Sequence, residues 1–168
     1  MSEAQIYVAD LAAYNAGTLY GKWIDAEQSA EEIEEEVQEM LKASPCPDAE
    51  EWAIHDYEGF EGIKLSEYES FETVSKLAEM LAEHGASFAA YFANESGDLD
   101  YALEHYEEAF CGEYKDEEDF AYEEFTSCYE IPSHLENYID WGAVARDLFC
   151  GDYWKADSYG GIYVFRSL

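Results

Sequence analysis

Hydrophobic and polar positions alternate with a strand period at the start of the chain. Ile6 and Val8 fall on one side of a short run, and Leu19-Tyr20-Gly21-Lys22-Trp23-Ile24 forms a second run after the turn signal Asn15-Ala16-Gly17. These two runs predict an antiparallel strand pair. The period then lengthens: Ser29-Ala30-Glu31-Glu32 reads as a capping box, and Ile33, Val37, Met40 and Leu41 recur at i, i+4, i+7 and i+8. That spacing predicts a helix, closed by Pro45 and Pro47. Trp52-Ala53-Ile54-His55 predicts a third strand, completing a small α+β lobe near Gly59 and Gly62.

From Ser66 the pattern turns helical, with Val74, Leu77, Ala78 and Leu81 on one stripe and Gly85 as the stop. A short apolar helix is expected around Phe88, Tyr91 and Phe92. After Gly97 another helix turns Leu99, Ala102, Leu103, Tyr106 and Phe110 inward. Ser133-His134-Leu135-Glu136 reads as a second capping box, opening one helix through Leu135, Tyr138, Ile139, Ala145, Leu148 and Phe149 and ending at Gly151. Gly160-Gly161 then turns the chain into a terminal strand, Ile162-Tyr163-Val164-Phe165. The expected fold class is α+β, an elongated chain of small lobes: an N-terminal α+β lobe over 1–62, a helical middle lobe over 63–97 and an acidic C-terminal α+β lobe over 98–168.

Charge changes this picture most. Across 168 residues, 40 Asp and Glu face 8 Lys and Arg, a formal net charge of -32. Net charge of this size ordinarily marks a chain that cannot bury enough apolar surface to fold. The aromatics overrule that reading, because 15 Tyr, 9 Phe and 4 Trp make up 17% of the residues, and each ring buries about 150–250 Å². A folded protein with a polyanionic coat is therefore expected. Solubility alone needs a net charge of only about 2–8 on a small domain, and the eight cations are scattered singly, so no basic patch neutralises a face. The plainest partner is a strongly basic one.

The acids concentrate in two stretches. Residues 27–42 hold seven Glu and one Lys, and residues 98–130 hold thirteen acids and one Lys. The candidate partner-binding carboxylates are Glu31, Glu32, Glu35, Glu36 and Glu39 in the first stretch. In the second they are Asp98, Asp100, Glu104, Glu107, Glu108, Glu113, Asp116, Glu117, Glu118, Asp119, Glu123 and Glu124. Carboxylates repeating along a helix once per turn of about 5.4 Å, on several rows, approach the charge density of DNA, which carries one charge per about 1.7 Å of axis.

Other chemistries fare poorly. An EF-hand template laid on Asp25 to Glu36 fails at its sixth position, where Ala30 replaces the required Gly. The sequence holds no GxSxG, HExxH, Walker A or GxGxxG motif. His55 beside Asp56 has the makings of a general base, yet such a His more often packs structurally. Paired carboxylates mean little among 40 acids. No catalytic residue, cofactor or metal is expected. Cys46, Cys111, Cys128 and Cys150 are far apart, with no CxxC pair, and are expected to be free and mostly buried thiols of a reducing compartment. The opening residues carry Glu3 and Asp10 where a secretion signal needs Lys or Arg before an apolar run. No stretch reaches the roughly 20 apolar residues of a membrane span, and the acidic surface repels both anionic lipid and nucleic acid. A cytoplasmic protein is expected.

Specific residues add a family. Leu11 to Ile24, with Tyr14, Asn15, Gly17, Gly21 and Trp23; Trp52 to Phe60, with His55, Asp56 and Tyr57; and Leu135 to Leu148, with Asn137, Tyr138, Asp140, Arg146 and Asp147, together resemble the ArdA-type antirestriction proteins. The closing Gly161-Ile162-Tyr163-Val164-Phe165 is similar to that family's last strand. The resemblance implies an antirestriction protein of mobile genetic elements, a DNA mimic that inhibits type I restriction and modification enzymes by occupying their DNA-binding groove. It also implies an elongated, curved homodimer. Tyr101, Tyr106, Phe110 and Tyr114 are candidate dimer contacts, weighed against ordinary core packing. The competing class is an acidic binding module for some other basic DNA-binding protein.

Overall fold

The computed structural model describes residues 3–168. The chain divides into two compact units, residues 1–89 and 90–168, and each has its own three-stranded antiparallel sheet. The fold is α+β.

In the first unit, β1 (Gln5–Asp10), α1 (Leu11–Asn15), β2 (Gly21–Asp25), α2 (Ala30–Lys42), β3 (Trp52–Glu58) and α3 (Phe71–His84) follow one another, and the sheet order is β2-β1-β3. Ile6 opposes Ile24, and Val8 opposes Ile54. These four side chains form the inner face and are buried. Ile33, Val37, Met40 and Leu41 of α2 are buried over them, and α2 packs on the sheet with one side and on α3 with another. Burying an aliphatic side chain of this size stabilises by about 1.5–3 kcal/mol. That outweighs each like-charge i,i+4 pair on the helix, which costs about 0.2–0.5 kcal/mol. The capping box at Ser29 and Glu32 is fully formed.

Asp10 is a fully buried polar anchor of this unit. Its carboxylate accepts from the backbone N–H of Ala12 at 2.9 Å, capping α1, and from the Ser44 hydroxyl. Ser44 Oγ in turn accepts from the Cys46 N–H at 3.0 Å. One carboxylate thereby joins the end of β1 to the loop that follows α2. The turn expected at Asn15 to Gly17 forms directly after a helical turn, α1, with Gly17 at φ +82°.

The helix expected from Ser66 begins instead at Phe71. Ser70 accepts from the Thr73 N–H at 3.1 Å and is the N-cap, while Ser66 to Glu69 form a turn. Phe71 stacks on Trp52 with ring centroids 4.3 Å apart.

α4 (Ala86–Asn94) begins in the first unit and ends in the second. The second unit continues with α5 (Leu99–Ala109), β4 (Phe110–Tyr114), α6 (Glu117–Cys128), α7 (Ser133–Glu136), α8 (Trp141–Leu148), β5 (Tyr153–Asp157) and β6 (Ile162–Arg166), in sheet order β4-β6-β5. The central strand β6 is covered on both faces. Phe165 meets Tyr91, Phe110 and Trp154 at 5.5, 5.5 and 4.3 Å. On the opposite face, Ile162 and Val164 pack with Phe120, Leu148 and Phe149.

The single helix expected over 133–149 is two helices. Ser133 makes no capping bond, because Pro132 occupies the N-cap, whereas Asp140 accepts from the Ala143 N–H at 2.9 Å and starts α8. Leu135 and Tyr138 point into solvent rather than onto a core, so nothing holds a helix through Asn137 to Ile139. Phe110, expected inside α5, caps it in extended geometry and opens β4. The four cysteines are free, but Cys46 and Cys111 are half-buried and Cys128 and Cys150 exposed. The expectation of mostly buried thiols is therefore corrected. No helix among the described residues is long and apolar enough to cross a membrane.

The tyrosine-rich core fixes an alkaline limit. Burial pushes the Tyr91 phenol up from 10.0 to about 12, with Glu95 adding to the effect, and burial likewise raises Tyr114 and Tyr153. A phenol that ionises later in the folded state stabilises fully below its unfolded value, and this is lost as pH climbs through the folded value. The second unit is expected to lose stability between about pH 10 and 12, followed by tryptophan fluorescence and tyrosinate absorbance, with Tyr91→Phe moving the transition upward. A transition unmoved by that substitution would contradict this account.

Candidate acidic interaction surface

Both units are strongly anionic by themselves: residues 1–89 hold 21 acids against four lysines, and residues 90–168 hold 19 acids against four cations. Local structure decides which acids face outward. On α2 the core stripe is Ile33, Val37, Met40 and Leu41, so Glu31, Glu32, Glu35 and Glu39 are exposed by helical period alone. On α5 the buried residues are Ala102, Tyr106 and Ala109, leaving Asp100, Glu104, Glu107 and Glu108 exposed. Glu31, Glu35 and Glu39 form one i,i+4 row and Asp100, Glu104 and Glu108 another, with carboxylates about 6 Å apart along each axis.

Other candidates hold the fold. Glu36 is half-buried, paired with Lys22 and accepting from the Gln28 amide at 2.8 Å; Lys22, then Gln28, hold its carboxyl below the usual carboxylate range. Glu32 is lowered by the Ser29 backbone N–H and hydroxyl of the capping box. Asp98 caps α5 through the Tyr101 N–H at 3.1 Å, and Asp116 caps α6 through the Asp119 N–H at 2.9 Å. Glu117 pairs with Lys155 at 3.1 Å, Asp119 accepts from the Lys115 N–H at 3.2 Å, and Glu124 accepts from the Tyr153 hydroxyl at 3.0 Å. Glu113, Glu118 and Glu123 are exposed. Acids in the first turn of α6 also meet the positive end of its dipole. Sequence density alone did not separate these anchors from the outward rows, and it missed Asp10.

The sequence blocks singled out earlier fall into place as follows. Tyr14 is 54% exposed and meets His55 edge-on at 4.8 Å. Asn15 is exposed at the end of α1. Gly21 is required by close approach, since a Cβ there would lie 2.4 Å from Val8 O and 2.9 Å from the Tyr7 ring. Trp23 packs beside that ring at 5.5 Å. His55 and Asp56 are exposed on β3, and Tyr57 packs against Phe60 at 5.9 Å. In the second unit Asn137 and Tyr138 are exposed, Asp140 caps α8, and Arg146 and Asp147 are exposed on it.

Of the aromatics considered for a dimer contact, Tyr106 is 1% exposed and packs against Phe110 at 5.4 Å. Tyr114 meets Phe120 at 5.0 Å, and Tyr101 stacks on His105 at 4.1 Å. The open apolar positions of this unit lie elsewhere, at Tyr122, Tyr129, Leu135, Tyr138, Tyr159 and Leu168.

Among the described residues no three His, Cys, Asp or Glu side chains gather as a metal-holding group. No curated protein matches the chain. The sequence model for the antirestriction protein ArdA matches residues 6–162. Because that match runs from β1 to the first residue of β6, through both sheets and every acidic helix, the chain belongs to the ArdA family of antirestriction proteins.

Proposed function

We propose that this antirestriction protein is a DNA mimic that inhibits type I restriction and modification enzymes by occupying the groove in which they hold DNA. The observation that supports it is the outward-facing rows of α2 and α5. A single row sets one carboxylate per about 6 Å, and the exposed acids of one helix taken together, Asp100, Glu104, Glu107 and Glu108 of α5, set one per about 4 Å of axis, against 3.4 Å per phosphate along one DNA strand. Lysines and arginines arrayed for phosphates would meet carboxylates at similar density. The mode of action is exclusion, with no chemistry and no cofactor.

Binding spread over many exposed charges predicts a graded response. Single changes such as Glu35→Gln or Glu107→Gln each remove about 0.2–1 kcal/mol, a loss of less than about fivefold in competition against duplex DNA on a purified type I enzyme. Replacing Glu31, Glu35, Glu39, Asp100, Glu104 and Glu107 together by their amides is expected to weaken inhibition progressively while leaving the capping and paired acids intact. Abolition by one conservative substitution in a folded protein would replace mimicry with a localised site.

The assembly proposed is a two-fold homodimer. Two chains supply 64 net negative charges, equal to the phosphates of about 32 base pairs, and two-fold symmetry matches enzymes that read a split site. The exposed Leu135 and Tyr138, with Tyr129 at the rim of an open hollow of about 620 Å³, suit the contact better than the less exposed Tyr101, Tyr106, Phe110 and Tyr114. Salt screens the repulsion between two such polyanions, so sedimentation equilibrium is expected to show tighter dimerisation at higher salt; a monomer at every salt and concentration would remove the dimer.

A further inference from the structure

The outer face of the first unit's sheet holds rings that neither its core nor the acidic helices account for. Ile6, Val8, Ile24 and Ile54 take the inner face. On the other face Tyr7 stands opposite Trp23 of β2 and opposite Asp56 of β3, and in the next row Gln5 stands opposite Asp25 and Glu58. Directly opposed residues of antiparallel strands share a face, with Cβ atoms about 4.5–5.5 Å apart. The Tyr7 and Trp23 rings lie 5.5 Å apart and tilted by 56°. Trp23 keeps 42% of its surface open, and Asp25 on its own strand and Asp56 and Glu58 across β1 are all exposed on the same face. Aromatic surface is thus left open in the middle of carboxylates.

Charge selects the occupant of such a face. A second copy would press Asp25, Asp56 and Glu58 against their own equivalents, and nucleic acid would be repelled outright. An apolar partner would strip water from the carboxylates and return no hydrogen bond. A guanidinium satisfies both components: its plane stacks on an aromatic ring and its forked N–H donors match a carboxylate. Lysine, a compact and strongly hydrated point charge, satisfies only one.

We propose that this sheet face is an arginine-docking platform, in which Trp23 takes the flat face of a guanidinium with the tilted Tyr7 ring beside it and the carboxylates of Asp25, Asp56 and Glu58 accept its N–H groups. Its occupant is an arginine on the protein partner's surface. That this partner is a restriction enzyme's DNA groove rests on the function proposed above; the preference for arginine over lysine is a property of the face itself.

The test is a titration of the ¹⁵N-labelled chain with octa-arginine and with octa-lysine, read at the assigned indole N–H signals. The Trp23 signal is expected to respond to octa-arginine at several-fold lower concentration than to octa-lysine, while Trp52, stacked on Phe71, shows no such preference. An equal response of Trp23 to the two peptides, or none, would overturn the proposal. With a type I enzyme, Trp23→Leu, checked for an unchanged thermal transition, is expected to weaken binding by about 2- to 30-fold with the same salt dependence as the parent, because the ring bears no charge. Unchanged affinity would also overturn it. If the parent chain binds no such enzyme, the proposed target fails, while the peptide titration still decides the platform.

Discussion

Mutual repulsion among 40 carboxylates is the constraint around which this structure is organised. Self-repulsion at net charge far from zero opposes compaction, and eight cations can neutralise at most eight of those acids one to one. The opposing force is aromatic and aliphatic burial. In the first unit it is concentrated between one face of a sheet and α2. In the second it surrounds β6, whose two faces are filled by Phe165 with Tyr91 and by Val164 with Phe120. A strand buried on both faces explains why so acidic a chain spends 17% of its residues on rings.

That constraint divides the acids by task. Asp10, Asp98, Asp116 and Asp140 satisfy the orphan N–H groups at helix starts, where negative charge is also favoured by the dipole. Glu36, Glu117 and Glu124 each engage a cation or hydroxyl and are half-buried. Among the others, Glu31, Glu35 and Glu39 of α2 and Asp100, Glu104 and Glu108 of α5 are laid along solvent-facing helix rows, the surface that the proposed mimicry assigns to the enzyme. The mimicry proposed above would use a surface whose charge the fold accommodates with the help of other carboxylates that cap helices and pair with cations.

The first unit was largely legible in the sequence, and the reasons are physical. Ile33, Val37, Met40 and Leu41 sit on an unbroken helical period behind a formed capping box, and strand alternation at Ile6, Val8 and Ile24 matches one buried face. The second unit was less legible. β4 carries a register shift between Phe110 and Gly112, which erases its alternation. In α6 the apolar residues cluster at Phe120, Ala121, Tyr122 and Phe125 without a repeating stripe, so its acids were read as charge rather than as a helix. The break at Asn137 to Ile139 was hidden because Ser133 to Glu136 mimics a capping box that Pro132 pre-empts. Acid density located the outward rows but not the anchors, because capping and pairing depend on neighbours distant in sequence, such as Lys155 for Glu117.

The central claim, that carboxylates stand in for phosphates, is tested most directly by measuring the equilibrium binding of this chain and of a DNA duplex to the same type I enzyme across a salt series from about 50 to 200 mM, the range over which a protein making several phosphate contacts loses orders of magnitude in affinity. The account predicts that the two logarithmic slopes are both steep and nearly parallel, since the same lysines and arginines are engaged in each complex. An affinity for this chain that stays flat while that for DNA falls would contradict it.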